Sequence, residues 1–197
     1  MQPLTLVFFG IVGSGKGTQV QLLMDFFKNK YDLDSVYAYP GAEFRKLTEK
    51  GTYVGELVKE TMRRGELQPN FLTNAVFTNS FIYDISLEKN LIADGYPRTI
   101  NQSETLEAMI NFLKRDNVKI VYIEVGKEEA TRRNLKRGRM DDTEEGLAKR
   151  FDEYVNNVIP AMEYFRGKSG YEILEVNGEQ TVEAVHHEIL KVLGLEA

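Results

Sequence analysis

Phosphate chemistry is first indicated by a glycine-rich segment that follows the amino-terminal apolar run. Gly10, Gly15 and Lys16 have the Gly-x-x-x-x-Gly-Lys spacing of a phosphate-binding loop. Glycines let backbone N–H groups turn towards an anion, a helix N-terminus adds positive potential, and the lysine adds a full charge. Gly17 stands where the usual motif has the Ser or Thr that binds magnesium, although Thr18 offers a hydroxyl one residue later. The segment predicts a nucleotide site and leaves its magnesium contact open.

A second segment, NLIADGYPR, places an acid and an arginine after another apolar run at residues 90–98. Asp94 at the end of a strand can face magnesium or its waters, and Arg98 can meet a phosphate in fork geometry. Taken alone, Asp-Gly and Pro are also ordinary residues of a strand-ending turn. Together with the glycine loop, the segment favours a phosphate site.

A third segment concentrates basic residues: Arg132, Arg133, Lys136, Arg137 and Arg139, with Arg150 further on. Arginines suit phosphoryl transfer because charge spreads over the equatorial oxygens of the transferring group. Arg132 and Lys136 are expected on a solvated helix face. Two readings remain open for Asp141 and Asp142: they belong to the site, or Asp142 caps the helix that begins near Glu144.

The pattern of apolar runs predicts the elements that position these residues. Short runs typical of strands occupy residues 4–9, 35–39, 90–94, 119–125 and 171–176, and helical spacing occupies 71–87, 102–113, 144–165 and 182–193. This alternation predicts an α/β fold of the P-loop NTPase type, a five-stranded parallel sheet flanked by helices. Residues 42–66 instead predict two short helices broken at Gly51, an inserted flap. Ligands of such sheets bind at the carboxyl ends of the strands.

Composition narrows the function further. A chain of 197 residues fits one domain, and its net charge of −5 argues against binding to nucleic-acid backbones, which requires many cations. With no cysteine there is no disulfide or thiol nucleophile, and the adjacent His186 and His187 cannot chelate one metal as an i, i+4 pair would. The first apolar run breaks at Gly10, so neither a signal peptide nor a membrane span is expected. We expect a cytoplasmic monomer.

Three motifs together resemble the adenylate kinase family of nucleoside monophosphate kinases. They are GSGKGTQ at 13–19, DGYPRT at 94–99 with Gln102, and GRMDD at 138–142, in the family's order over nearly the whole chain. In that family a glycine follows the lysine. The resemblance implies transfer of the terminal phosphoryl group of MgATP to AMP, giving two ADP. It also implies one domain with a core (1–38, 70–132, 143–197), a monophosphate-binding flap (39–69) and a lid (133–142).

The resemblance assigns roles to individual residues. It implies that ATP is bound by Gly13, Ser14, Gly15, Lys16, Gly17, Thr18, Arg137 and Gln180. It implies that AMP is bound by Pro40, Arg45, Glu66, Leu67, Gln68, Gly95, Tyr96, Pro97, Arg98, Gln102, Arg139 and Arg150, with Gln102 reading adenine. The implied catalytic set is Lys16, Arg98, Arg137, Arg139 and Arg150. Mg²⁺ would be held by nucleotide and water rather than by a direct protein ligand, with Asp94 in the outer shell.

The chain departs from the family pattern at three places. Pro40 stands where the family has a threonine near the acceptor base, Val12 replaces a common proline of the loop, and only Gly138 separates Arg137 from Arg139 in a very short lid. The altered flap entrance favours a kinase for UMP, CMP or another monophosphate, whereas Gln102 favours adenine. A nucleotide-binding regulator without transfer activity is the other alternative, and the arginines aimed at two phosphate sites oppose it.

Overall fold

A computed structural model describes residues 1–138 and 142–195 of the chain. Its centre is a five-stranded sheet in the order β2-β3-β1-β4-β5, and all its pairings are parallel. The strands are β1 (Thr5–Phe9), β2 (Ser35–Ala38), β3 (Asn90–Asp94), β4 (Val118–Glu124) and β5 (Tyr171–Asn177). All residues of β1 and β3 are buried, because helices cover both faces of the sheet. The predicted α/β fold is confirmed.

The helices of the described chain pack on the two faces of the sheet or lie in the flap. They are α1 (Lys16–Tyr31), α2 (Pro40–Thr48), α3 (Tyr53–Arg63), α4 (Asn70–Asn79), α5 (Ile100–Phe112), α6 (Lys127–Arg137), α7 (Glu144–Glu153), α8 (Ile159–Glu163) and α9 (Val182–Val192). One core cluster joins α1, α6, α7 and α9 to the sheet, and a second joins α4, α5 and α8 to its other face. The register pairs Phe8 with both Asp94 and Val121, which brings the carboxyl ends of the central strands together.

The segment between β2 and α4 is helical, as predicted. Helix α2 begins at Pro40, whose fixed φ suits a first helical position, and α3 begins after Thr52, whose hydroxyl accepts a hydrogen bond from the Gly55 N–H. Gly51 lies between them with a φ of 62°, a conformation that favours glycine. The predicted break of the flap at Gly51 is confirmed.

The prediction of one helix over 71–87 was wrong, because α4 ends at Asn79. The Ser80 hydroxyl donates a hydrogen bond back to the Phe77 carbonyl at the end of the helix. Past that point Phe81 is buried, but Tyr83 and Leu87 are exposed, so the apolar spacing there does not mark a buried helix face. The prediction of one long helix over 144–165 is confirmed to within two residues, because α7 continues through a π-helical turn at Tyr154–Val158 into α8.

Candidate active site

One large cleft opens at the carboxyl ends of the strands, with a volume of about 1150 Å³. Its walls come from the loop before α1, the flap, the turn after β3, helices α6 and α7, and the segment between β5 and α9. Pockets for a single drug-sized ligand occupy roughly 300–1,000 Å³. The cleft therefore has room for more than one small ligand.

The glycine loop is shaped by close approaches that only glycine allows. Gly10 has a φ of 147°, and a Cβ there would lie 2.5 Å from the Ile123 carbonyl oxygen. Gly13 has a φ of 86°, and a Cβ there would lie 2.4 Å from the side-chain nitrogen of Asn134. That nitrogen, fully buried in α6, donates a hydrogen bond to the Val12 carbonyl at 2.9 Å. Helix α6 thus holds the backbone of the loop in place.

Lys16, the first residue of α1, turns its ammonium group into the loop. Its Nζ donates hydrogen bonds to the carbonyl oxygens of Gly10 at 2.8 Å and Ile11 at 3.0 Å. Burial lowers the pKa of Lys16 to about 8; Asp94 opposes this shift, and the nearby positive charges of Arg98, Arg137 and Arg150 add to it. Groups far apart in sequence are therefore electrostatic neighbours of one ammonium group.

The pKa of Lys16 predicts that kcat/KM for ATP falls as the pH rises through about 8. The free protein loses the positive charge that attracts phosphate over this interval. A lysine in the unfolded chain keeps its pKa of 10.5, so between these values the unfolded state binds more protons and the free energy of unfolding of the ligand-free protein rises with pH. Rate and denaturation profiles from about pH 6.5 to about pH 10 would measure both effects. A kcat/KM that stays flat across the alkaline range would contradict the prediction.

On the flap side of the cleft, Tyr37 in β2 and Tyr39 just before α2 contact Asp94 and Arg45. Tyr37 donates its hydroxyl to Asp94 Oδ2 at 2.8 Å, and its ring stacks on Tyr39 with centroids 5.7 Å apart. The guanidinium of Arg45 lies over the Tyr39 ring at 5.2 Å. Arg98 donates a hydrogen bond from Nε to the Gly95 carbonyl at 2.9 Å. This bond ties the orientation of the guanidinium group to the turn after β3.

On the α6 side, the buried carboxylate of Asp142 holds two arginines. Arg137 binds it in fork geometry, Nε to Oδ2 at 3.0 Å and Nη2 to Oδ1 at 2.7 Å, and Arg150 Nη1 contacts Oδ1 at 3.2 Å. Thr143, not Asp142, caps α7 by accepting a hydrogen bond from the Gly146 N–H. Of the two readings for Asp142, the structure favours the site, because this carboxylate positions the predicted catalytic arginines.

The structure brings nearly all the predicted site residues together. The following line the cleft: Gly13, Ser14, Gly15, Lys16, Gly17, Thr18, Pro40, Arg45, Glu66, Leu67, Gln68, Asp94, Gly95, Pro97, Arg98, Gln102, Arg137, Arg150 and Gln180. Tyr96 is different, because its side chain is 1% exposed and stacks on Phe77 in the core, with its hydroxyl donating to Asn74. Arg139 and Asp141 lie outside the described residues.

Sequence reasoning missed four side chains that support the site. Tyr37 donates a hydrogen bond to Asp94, and the Tyr39 ring contacts the Arg45 guanidinium. Asn134 donates a hydrogen bond to the glycine loop, and Asn70 accepts one from Gln102. Tyrosine and asparagine occur in many roles, so their types alone do not mark a site, and Tyr37, Asn134 and Asn70 contact residues far away in the sequence. Only the i, i+2 spacing of Tyr37 and Tyr39 in the apolar run at 35–39, which would place both side chains on one face of a predicted strand, could have indicated a shared role.

These features define a class of protein, a P-loop fold in which cations line one large cleft at the carboxyl ends of the strands. Comparison with known proteins makes the assignment specific, because the adenylate kinase family model matches residues 8–170. The chain belongs to the adenylate kinase family. It is 33% identical to an adenylate kinase of Prochlorococcus marinus over 87% of this chain and 90% of the relative, and 32% identical to one of Bacteroides fragilis over 96% and 98%. The match to an adenylate kinase of Oenococcus oeni is 30% over 90% and 92%. The predicted family and kinase class are confirmed.

Proposed function

We propose that the protein catalyses reversible phosphoryl transfer from MgATP to AMP, giving two ADP. The observation that supports this best is that cations line the cleft from two sides. Lys16 and Arg137 accompany the glycine loop, whereas Arg45 and Arg98 accompany the flap and the turn after β3. A protein that only binds one nucleotide needs the first group alone. A protein that joins two nucleotides through their phosphates needs both.

The donor phosphates are assigned to the loop at 13–18 and the start of α1. Among the described residues, no side chain caps this helix end and no acidic residue stands in its first turn, so its N–H groups and positive potential are available to an anion. Lys16 supplies the mobile charge, and Arg137 approaches from α6. The acceptor phosphate is assigned to Arg45 and Arg98, which offer planar guanidinium groups suited to phosphate.

The chemical step requires no protein nucleophile. An oxygen of the AMP phosphate forms a bond to the γ-phosphorus of ATP while the bond from that phosphorus to the bridging oxygen breaks, and ADP leaves with that oxygen. The protein contributes alignment, exclusion of water and stabilisation of charge on the equatorial oxygens. We assign this stabilisation to Lys16, Arg137 and Arg150, and on sequence grounds to Arg139.

The position of Asp94 suits a donor nucleotide that carries Mg²⁺. Its carboxylate ends β3, is 4% exposed, and lies 3.9 Å from the position of a Cβ built on Gly17, where the common motif carries its hydroxyl ligand. Mg²⁺ prefers phosphates, waters and one or two carboxylates. We propose that Asp94 holds the ion through water, with Tyr37 fixing the carboxylate. When bound, the ion would neutralise charge on the β- and γ-phosphates.

Steady-state rates with AMP, CMP, UMP, GMP and dTMP as acceptors test the proposal. Pro40 is buried at the start of α2 and has no N–H, so it donates no hydrogen bond to a base, and selection is left to Gln102 and its surroundings. We expect kcat/KM to be highest for AMP. A preference for UMP or CMP would move the protein to another monophosphate kinase, and binding without transfer to any acceptor would support a regulator.

The short connection between α6 and α7 predicts leakage of the phosphoryl group to water. Helix α6 ends at Arg137, Gly138 follows it in the left-handed conformation, and Thr143 already caps α7. A lid this short closes the site less completely, and closure is what excludes water. We expect ATP hydrolysis without acceptor to exceed about 1% of the transfer rate. Released phosphate measures it, with a Lys16→Met variant as the inactive control, and a negligible rate beside transfer would contradict the prediction.

In the part of the chain that the structure describes, no helix is long and apolar enough to cross a membrane. The monomeric state and the cytoplasmic location stay predictions.

A further inference from the structure

Gln102, the residue assigned to the acceptor base, is held at both ends of its amide. It is 1% exposed at the start of α5 and still lines the cleft. Its Oε1 accepts a hydrogen bond from the Arg98 N–H at 2.8 Å, and its Nε2 donates one to Asn70 Oδ1 at 3.0 Å. An amide group has two N–H donors and two lone pairs. One of each remains for a ligand.

The orientation of this amide is fixed by chemistry rather than by shape. The Arg98 backbone N–H can only donate, so the oxygen of Gln102 must face it. The nitrogen of Gln102 then faces Asn70 Oδ1, which also accepts a hydrogen bond from the Thr99 hydroxyl at 2.9 Å. A flipped amide would put donor against donor at Arg98 and acceptor against acceptor at Asn70. Buried polar groups left unpaired in this way are costly.

We propose that Asn70 is a positioning residue that selects the acceptor base by holding the Gln102 amide in one orientation. Asn70 itself does not line the cleft and acts through Gln102. Adenine and cytosine present an amino donor beside a ring-nitrogen acceptor, whereas guanine and uracil present a carbonyl acceptor beside an N–H donor. The fixed Gln102 amide is complementary to adenine and cytosine. Guanine or uracil bound in the same pose would require the amide to flip. The proposal rests on the assignment of this pocket to the acceptor nucleotide.

Equilibrium binding of AMP, GMP, CMP and UMP to the unaltered protein and to Asn70→Leu tests the proposal without requiring transfer. Leucine has no hydrogen-bond acceptor for Gln102 Nε2, so the free-energy cost of flipping the Gln102 amide falls. The binding ratios of AMP to GMP and of CMP to UMP should each fall about tenfold, because one of the two groups that oppose the flip is gone. Asn70→Asp keeps an acceptor in place, and its added charge weakens all four anionic ligands alike, so both ratios should remain within about threefold.

A matched control separates positioning from helix packing. Asn74, one turn further along α4, directs its hydrogen bonds elsewhere: it donates to Thr105 Oγ1 on α5 and accepts from the Tyr96 hydroxyl. Asn74→Leu should alter stability without changing either ratio. Unchanged ratios in Asn70→Leu, equal losses for all four ligands, or a wild-type preference for GMP and UMP would overturn the proposal. A protein that prefers AMP and CMP in binding but transfers nothing would overturn the proposed reaction and leave the role of Asn70 supported.

Discussion

Replacing Arg137 with alanine is expected to lower kcat for phosphoryl transfer by about a thousandfold, the lower end of what an arginine at a transferring phosphoryl group contributes. Arg137 meets the requirements of this role. Its planar group is oriented by Asp142 and by a 2.7 Å hydrogen bond to Asn134 Oδ1, and its charge is felt by Lys16. A preorganised cation costs little reorganisation when charge develops on the γ-phosphate. Initial rates with saturating ATP and AMP give the measurement.

Lys136, next to Arg137 and of the same charge, offers a control for the Arg137→Ala variant. Lys136 is exposed on the same last turn of α6 and does not line the cleft. Lys136→Ala should leave kcat within about twofold, as surface substitutions usually do. Asp142 remains paired with Arg150 in the Arg137→Ala protein, so the fold should persist and thermal denaturation can verify it. Equal kcat values for the two variants would show that Arg137 has no special role.

Replacing Lys16 with methionine should lower kcat about a hundredfold or more while leaving the protein at least as stable. The two effects have opposite signs because they concern different states. The transition state loses a cation beside the phosphates. The ligand-free folded state loses a charge that it disfavours, since burial lowers the pKa of Lys16. Methionine keeps the unbranched shape and fills the same space.

Lys28 at the other end of α1 is the matched control. Its side chain is 55% exposed and pairs with Asp32 and Asp34, and exposed ion pairs of this kind contribute little. Lys28→Met should keep both kcat and the midpoint of thermal unfolding. If Lys16→Met retained transfer activity, or lost it only together with its fold, the assigned role of Lys16 would be wrong.

The sheet could be predicted well because each of its strands is marked by residues that are adjacent in the sequence. Buried parallel strands appear as short apolar runs, and the glycine loop has to follow the first of them, so the positions of Gly10 and Lys16 follow from the order of residues alone. The end of α4 could not be predicted in the same way. Apolar residues beyond Asn79 continue at helical spacing, but Tyr83 and Leu87 face solvent, and burial is not visible in a sequence.

The support of the site depends on contacts between distant residues. Asn70 and Gln102 are 32 positions apart, Tyr37 and Asp94 are 57 apart, and Val12 and Asn134 are 122 apart. The supporting side chains of these pairs, Asn70, Tyr37 and Asn134, are of types with many possible uses, so the type alone does not reveal the partner. The residues expected to touch substrate could be identified from motifs, whereas the residues that hold them required the fold.

The most direct test of the central claim is to follow a label in the γ-phosphoryl group of ATP after mixing the protein with AMP and magnesium. We expect the label to appear in the β-phosphoryl group of new ADP faster than in inorganic phosphate, because the two sets of cations bring two nucleotides together. Label that stays in ATP, or that passes only to inorganic phosphate, would contradict it.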